Sequence, residues 1–125
     1  MKVLVAVKDE PDVRFLVETI FSMDARFTLT AVASSAEEAL EWLRTTQPEI
    51  IVIDHGLSGQ LTGLDAAPRL SELAPQAKII MFTAHADLKT RAEHEPAIDG
   101  FVLISESTQL LPLAQRLTGL GAPPK

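Results

Sequence analysis

The sequence predicts an α/β fold: a doubly wound sheet of five parallel strands with helices on both faces. Three observations carry this. Five short apolar runs, rich in β-branched residues, recur along the 125 residues. Stretches with apolar residues at helical spacing separate them. Turn-forming or charged residues close the runs at their carboxyl ends. Alternating strands and helices wind into a parallel sheet, and the usual order for five strands is 2-1-3-4-5.

The elements follow in order. Strand 1 is expected over 2–7, and helix 1 follows Pro11 with Val13, Leu16, Val17, Ile20 and Phe21 on one face. Strand 2 is expected over 27–33. Ser34 and Ser35 supply an N-cap, with Glu37 and Glu38 in the first turn after it. Helix 2 then runs to about Thr46, with Ala39, Leu40 and Leu43 facing the core and Pro48 blocking its extension. The Glu37, Glu38 and Glu41 side chains read as a solvated face, and Trp42 as partly buried packing. Strand 3 is expected over 50–54, helix 3 over about 64–73 and strand 4 over 78–82. Helix 4, over about 87–95, has the weakest pattern. Strand 5 is expected over 100–104 and helix 5 over about 108–117.

Composition narrows the function. Hydrophobic residues make up 46% of the chain, which favours a packed core over disorder. No apolar stretch approaches the ~20 residues of a membrane span, so no membrane partner is expected. The chain starts directly in a strand without a signal-peptide layout, and a cytoplasmic location is expected. The absence of cysteine excludes disulfides, thiolate metal sites and a cysteine nucleophile. A net charge of −6 argues against direct nucleic-acid binding through a basic surface.

The chemistry gathers at the strand ends. Asp54 closes the run Glu49-Ile50-Ile51-Val52-Ile53-Asp54, and Lys8-Asp9-Glu10-Pro11-Asp12 follows strand 1. Both lie at the carboxyl edge of the expected sheet, where open α/β sheets place their ligands. Thr83-Ala84 follows strand 4, and Phe101 lies on strand 5. His55, His85 and His94 have neither close spacing nor cysteine partners, so they read as rim residues rather than metal ligands. His55 and His85 each follow a strand end and are expected near one another.

Aligned on these strand ends, the chain resembles the receiver domains of two-component response regulators, which have the flavodoxin-like (βα)5 fold, over about 1–117. Lys8-Asp9-Glu10-Pro11 stands at the family's acidic pair, and Asp54 at its phosphoacceptor. Leu57-Ser58-Gly59 and Gly63 resemble its turn and later glycine, with one extra residue between them. Thr83 stands at the switch hydroxyl and Phe101 at the switch aromatic. The resemblance implies a receiver domain over 1–118, followed by a flexible tail or the start of a linker over 119–125. It implies phosphorelay signalling without an enzyme activity of its own. A histidine kinase or phosphotransfer protein is the implied partner, with a homodimer through helix 4, strand 5 and helix 5 as a further implied contact. Mg²⁺ would be held by Asp9, Asp54 and Gly56.

Two departures fall in this pocket. Lys8 replaces the first acid, and Ile104 occupies the position of the strand 5 lysine; a one-residue shift would put Ser105 there. At ~4 Å and an effective dielectric of ~20, an ammonium attracts a carboxylate by roughly 4 kcal/mol before desolvation, and repels a divalent cation on a similar scale. Weak or absent Mg²⁺ binding is therefore expected. Lys8 can act as a relocated phosphate-binding lysine, or hold Asp9 and Asp54 without metal. The alternative function is a phosphorylation-independent pseudo-receiver acting as an interaction or dimerisation module. A flavin binder of the same fold is disfavoured, because Lys8 to Asp12 lacks the Ser, Thr and Gly residues of a phosphate loop.

Overall fold

The computed structural model describes residues 1–7, 11–57 and 59–121. Five strands form one parallel sheet in the order β2-β1-β3-β4-β5, as the sequence predicts. They are β1 (Lys2–Ala6), β2 (Thr28–Ala33), β3 (Ile50–Ile53), β4 (Lys78–Thr83) and β5 (Gly100–Leu103). The helices are α1 (Pro11–Ser22), α2 (Ala36–Trp42), α3 (Gly63–Leu73), α4 (Lys89–Glu93) and α5 (Leu110–Leu117).

The strands read as continuous apolar runs because both faces of the sheet are covered. On one face Val3, Val5, Ile50, Val52, Ile80 and Phe82 pack with Val17, Ile20 and Phe21 of α1 and Leu110 and Ala114 of α5. On the other, Leu4, Ala6, Ile51, Ile53 and Ile79 pack with Ala36 and Ala39 of α2 and Ala66 and Leu70 of α3. A smaller cluster of Leu64, Met81, Leu88 and Ala92 seats α4.

Local chemistry sets the helix ends. Pro11 opens α1, where its fixed φ fits and its missing N–H costs nothing. The Ser35 hydroxyl accepts from the Glu38 N–H at 3.1 Å, the N-cap the sequence predicts. Helix α2 ends at Trp42, four residues before the expected stop. Its last N–H groups, on Arg44 and Thr45, bond three residues back to Glu41 and Trp42, and Gln47 Nε2 donates to the Leu43 carbonyl at 3.2 Å. Paired β-branched threonines and the approach to Pro48 favour this early exit. Trp42 is 39% exposed, and Ala39 and Leu43, four apart, take the inward face as expected.

The other differences lie after β4 and β5. Residues Ala86–Leu88 form a 3₁₀ turn before a five-residue α4, and neither has a side-chain N-cap. Strand β5 stops at Leu103, and Ile104–Gln109 form 3₁₀ structure broken at Glu106 before α5 starts at Leu110. Helix α5 closes with Gly119 at φ +77°, the Gly119 N–H on Arg116 O at 3.2 Å and the Leu120 N–H on Gln115 O at 2.8 Å. That is a Schellman stop, and glycine is the residue that adopts it without strain.

One buried acid ties the far ends of the chain together. Asp24 is 1% exposed, and its carboxylate accepts from Arg26 Nε at 3.0 Å, Arg26 Nη2 at 2.8 Å and Gln115 Nε2 at 3.0 Å. The same guanidinium donates to the Gly121 carbonyl at 2.7 Å. Hydrogen bonding from Arg26 holds the Asp24 carboxyl far below the usual carboxylate range, against the opposing pull of burial. A depressed carboxylate pKa contributes stability above its unfolded value of 3.8 that is lost as pH falls. We therefore expect Asp24→Asn to be less stable than the parent in urea at pH 7. The gap should narrow steadily below about pH 4. A gap independent of pH would assign the loss to packing rather than charge.

Candidate functional site

The sheet delivers Asp54 to its carboxyl edge. The Asp54 N–H extends the ladder past β3 by donating to Ala6 O at 2.9 Å. Its half-buried carboxylate then turns back, and Oδ1 accepts from the His55 N–H at 2.6 Å. The following loop is pinned twice, because the His55 carbonyl accepts from Leu57 N–H at 3.0 Å and Gly63 N–H at 3.1 Å.

Gly63 fixes this approach. A Cβ there would lie 2.4 Å from the Asp54 carbonyl oxygen and 3.1 Å from His55 Cα, so only glycine lets α3 start against this loop. The helix start is locked by a capping box. Thr62 Oγ1 accepts from Asp65 N–H at 3.2 Å, and Asp65 Oδ2 accepts from Thr62 N–H at 3.4 Å. The pattern Thr62-Gly63-Leu64-Asp65 was present in the sequence as a capping signal and places the helix start one residue before the expected one. Gly59 has φ +88°, and Glu37 of α2 fills the space where its side chain would be. The glycine in that turn is thus required by its backbone.

Thr83 lies on the adjacent strand. It is fully buried, and its hydroxyl accepts from the His85 N–H at 3.3 Å. Phe101 pairs in register with Met81, is half-buried and packs at the margin of the α4 cluster. Ile104 is half-buried and packs against the margin of the core that the sheet forms with α1 and α5. Gly56 is exposed, with nothing within 4 Å of its would-be side chain. Lys8 and Asp9 fall outside the described residues, as does Ser58.

His55 is more enclosed than a rim residue. Its Nδ1 is buried and has no hydrogen-bond partner among the described residues. An unsatisfied buried polar atom costs about 1–3 kcal/mol, and a water or ligand would relieve it. Burial pushes the imidazole pKa down, and the charges of Arg91 and His85 push it further, against Asp54 and Asp65. The expected nearness of His55 and His85 agrees with the effect of the His85 charge on the His55 ring.

A divalent ion at this edge is not made by the described residues alone: no group of three His, Cys, Asp or Glu side chains among them is placed to hold a metal. The other expected acid of the site, Asp9, lies outside the described residues. No helix among the described residues is long and apolar enough to cross a membrane.

This sheet, with an acid at the end of its third strand and a buried hydroxyl at the end of its fourth, matches the response regulator receiver domain family model over residues 3–105. The chain belongs to that family. It is 39% identical over 87 residues to a protein-glutamate methylesterase/protein-glutamine glutaminase from Paramagnetospirillum magneticum, covering 70% of this chain and 24% of the relative. It is 32% identical over 117 residues to a putative transcriptional regulator of Pseudomonas aeruginosa, covering 92% of this chain and 55% of that one. The chain thus spans about a quarter to a half of these relatives, and the matches lie in their receiver parts. Among solved structures, a LuxR-family two-component response regulator from Aurantimonas superposes with a TM-score of 0.81 at 26% identity, covering 95% of this chain and 86% of that one. The response regulator TrrA of Thermotoga maritima, solved with Mg²⁺ and beryllofluoride, gives 0.79 at 25% identity over 94% of this chain and 99% of that one.

The close approach at Gly63 generates a prediction. Gly63→Ala must push α3 away from the Asp54 carbonyl, and overpacking of this kind costs about 1–3 kcal/mol. Denaturant melts should show that loss, and amide NMR shifts should change at Asp54 and His55. A variant as stable as the parent with unchanged shifts would contradict the geometry.

Proposed function

We propose that this chain accepts a phosphoryl group on Asp54 from a histidine kinase or phosphotransfer protein. The single observation that carries this is the placement of Asp54. A half-buried carboxylate, fixed through one oxygen by the His55 N–H, sits at the sheet edge one strand from the buried Thr83 hydroxyl. In the transfer an Asp54 oxygen attacks phosphorus, the P–N bond to the donor histidine breaks, and its electron pair leaves on the imidazole nitrogen. An acyl phosphate remains. Little covalent chemistry is asked of the pocket, which acts by positioning and by neutralising charge.

Thr83 and Phe101 are the switch. The Thr83 hydroxyl at present accepts from the His85 N–H; phosphorylation offers it an anionic oxygen to donate to, and Phe101 follows the vacated space inward. The signal then leaves through α4, β5 and α5. Strand β5 is a sheet edge, and a groove of about 450 Å³ lined by Phe101, Pro112 and Leu113 runs beside it, which suits docking of a partner or a second copy. Mg²⁺ would supply charge neutralisation through Asp9, Asp54 and Gly56, weakened by Lys8.

A pseudo-receiver is the second reading, and the position of Ile104 favours it. An apolar side chain packed against the core cannot pair with a phosphoryl oxygen.

Intact-mass measurement after incubation with Mg²⁺ and a small phosphodonor separates the two. The expected result is one added phosphoryl group, mapped to Asp54 and absent from Asp54→Asn. No addition would support the pseudo-receiver, and addition that survives Asp54→Asn would remove Asp54 from the role. Lys8→Asp should raise Mg²⁺ affinity at least several-fold, because a cation is exchanged for a ligand. Unchanged affinity in a calorimetric titration would place Lys8 away from the ion.

A further inference from the structure

The outward side of α2 carries the only tryptophan of the chain, and the chemistry at Asp54 makes no use of it. Ala36, Ala39 and Leu43 turn the other side of this segment into the core. Glu38, Glu41, Trp42 and Thr45 follow one another at helical spacing and are all exposed. Together they line a shallow hollow of about 310 Å³. An indole left in solvent beside a hollow is the kind of anchor on which interfaces concentrate their binding energy. The charge around it is mostly of one sign. Glu37, Glu38 and Glu41 lie on this short helix, and Arg44 follows just beyond it. The Glu38 carboxylate accepts from the Ser34 hydroxyl at 3.5 Å, and the Glu41 carboxylate from Arg44 Nη1 at 3.4 Å. Both contacts are long and solvent-exposed, so either carboxylate is open to a closer cation.

We propose that this side of α2 docks a basic segment of a partner protein, with an arginine of that segment laid on the Trp42 indole and its charge met by Glu38 and Glu41. Charge complementarity selects this occupant. A cation over an aromatic face is attracted by the ring quadrupole, and tryptophan is the best ring for it. The planar guanidinium can stack on the indole and donate to the flanking carboxylates at once. An acidic segment would meet like charge at Glu38 and Glu41, and a purely apolar one would strip water from both without pairing them. The hollow is small, so the contact is a weak one and suits a transient partner. The proposal is independent of Asp54 as the phosphoacceptor.

Trp42 reports its own occupancy, because the chain has one tryptophan and no tyrosine. The probe is a short amidated alanine–leucine peptide bearing a pair of arginines. It is titrated into the ¹⁵N-labelled chain at low ionic strength while Trp42 emission and the backbone amides are followed. The control peptide carries citrulline in place of arginine, which keeps the shape and removes the charge. The arginine peptide should change Trp42 emission saturably and shift the amides of Glu38, Glu41 and Thr45 with the same dissociation constant. Added salt should weaken it, and the citrulline peptide should not saturate. Glu38→Gln combined with Glu41→Gln should weaken binding about fivefold. Trp42→Leu, which keeps apolar bulk but removes the aromatic face, should weaken it similarly when read from the amides. Equal binding of the citrulline peptide, parent-like binding by either variant, or no saturable change with the arginine peptide would each overturn the proposal. Trp42 emission that depends on protein concentration alone, with a dimer mass in sedimentation, would give this face to a second copy of the chain and overturn it as well.

Discussion

The backbone of Asp54 is the constraint on which the site depends. Its N–H is spent on Ala6 O, which makes it the last rung between β1 and β3. Its carbonyl faces Gly63 at a distance that admits no side chain. Its carboxylate is folded back onto the next N–H. A residue held in these three ways has little freedom left, and the desired direction of the remaining oxygen is set before any partner arrives. That is preorganisation in the sense catalysis requires, with the cost met by the buried strands behind it.

The electrostatics of the edge are less conventional than its backbone. The family's pattern balances several acids with one strand 5 lysine. In this chain Lys8 stands in sequence where the family carries its first acid, and the half-buried His55 directly follows Asp54. Ile104 shows why the change is not a simple loss. Its half-buried side chain packs against the core, so restoring a lysine there would exchange apolar contact for a charge that must stay in reach of water.

Much of this was legible in the sequence, and for definite reasons. The strands announced themselves because burial on both faces demands unbroken runs such as Ile50 to Ile53. Asp54 and Thr83 were placed at the carboxyl edge because strand ends fix which residues reach it, and the structure puts both there. Helix α2 was read too long and α4 too regular, since apolar periodicity does not register how Gln47 caps a carbonyl or how an uncapped start drifts into a 3₁₀ turn. The Asp24 clamp was invisible. Asp24 and Arg26 look like a surface turn until Gln115, far along the chain, closes over them. The enclosure of the His55 Nδ1 was hidden in the same way, because the loop that carries it folds back to meet the Gly63 N–H at the start of α3.

The account's central claim is that Asp54 is the anion acceptor of a preformed pocket. A crystal structure of the chain with beryllofluoride and Mg²⁺ tests it most directly. The account predicts a beryllofluoride group bonded to an Asp54 carboxylate oxygen, with the Thr83 hydroxyl turned from His85 toward a fluoride. An Asp54 that remains bare at saturating beryllofluoride, still folded onto the His55 N–H, would contradict it.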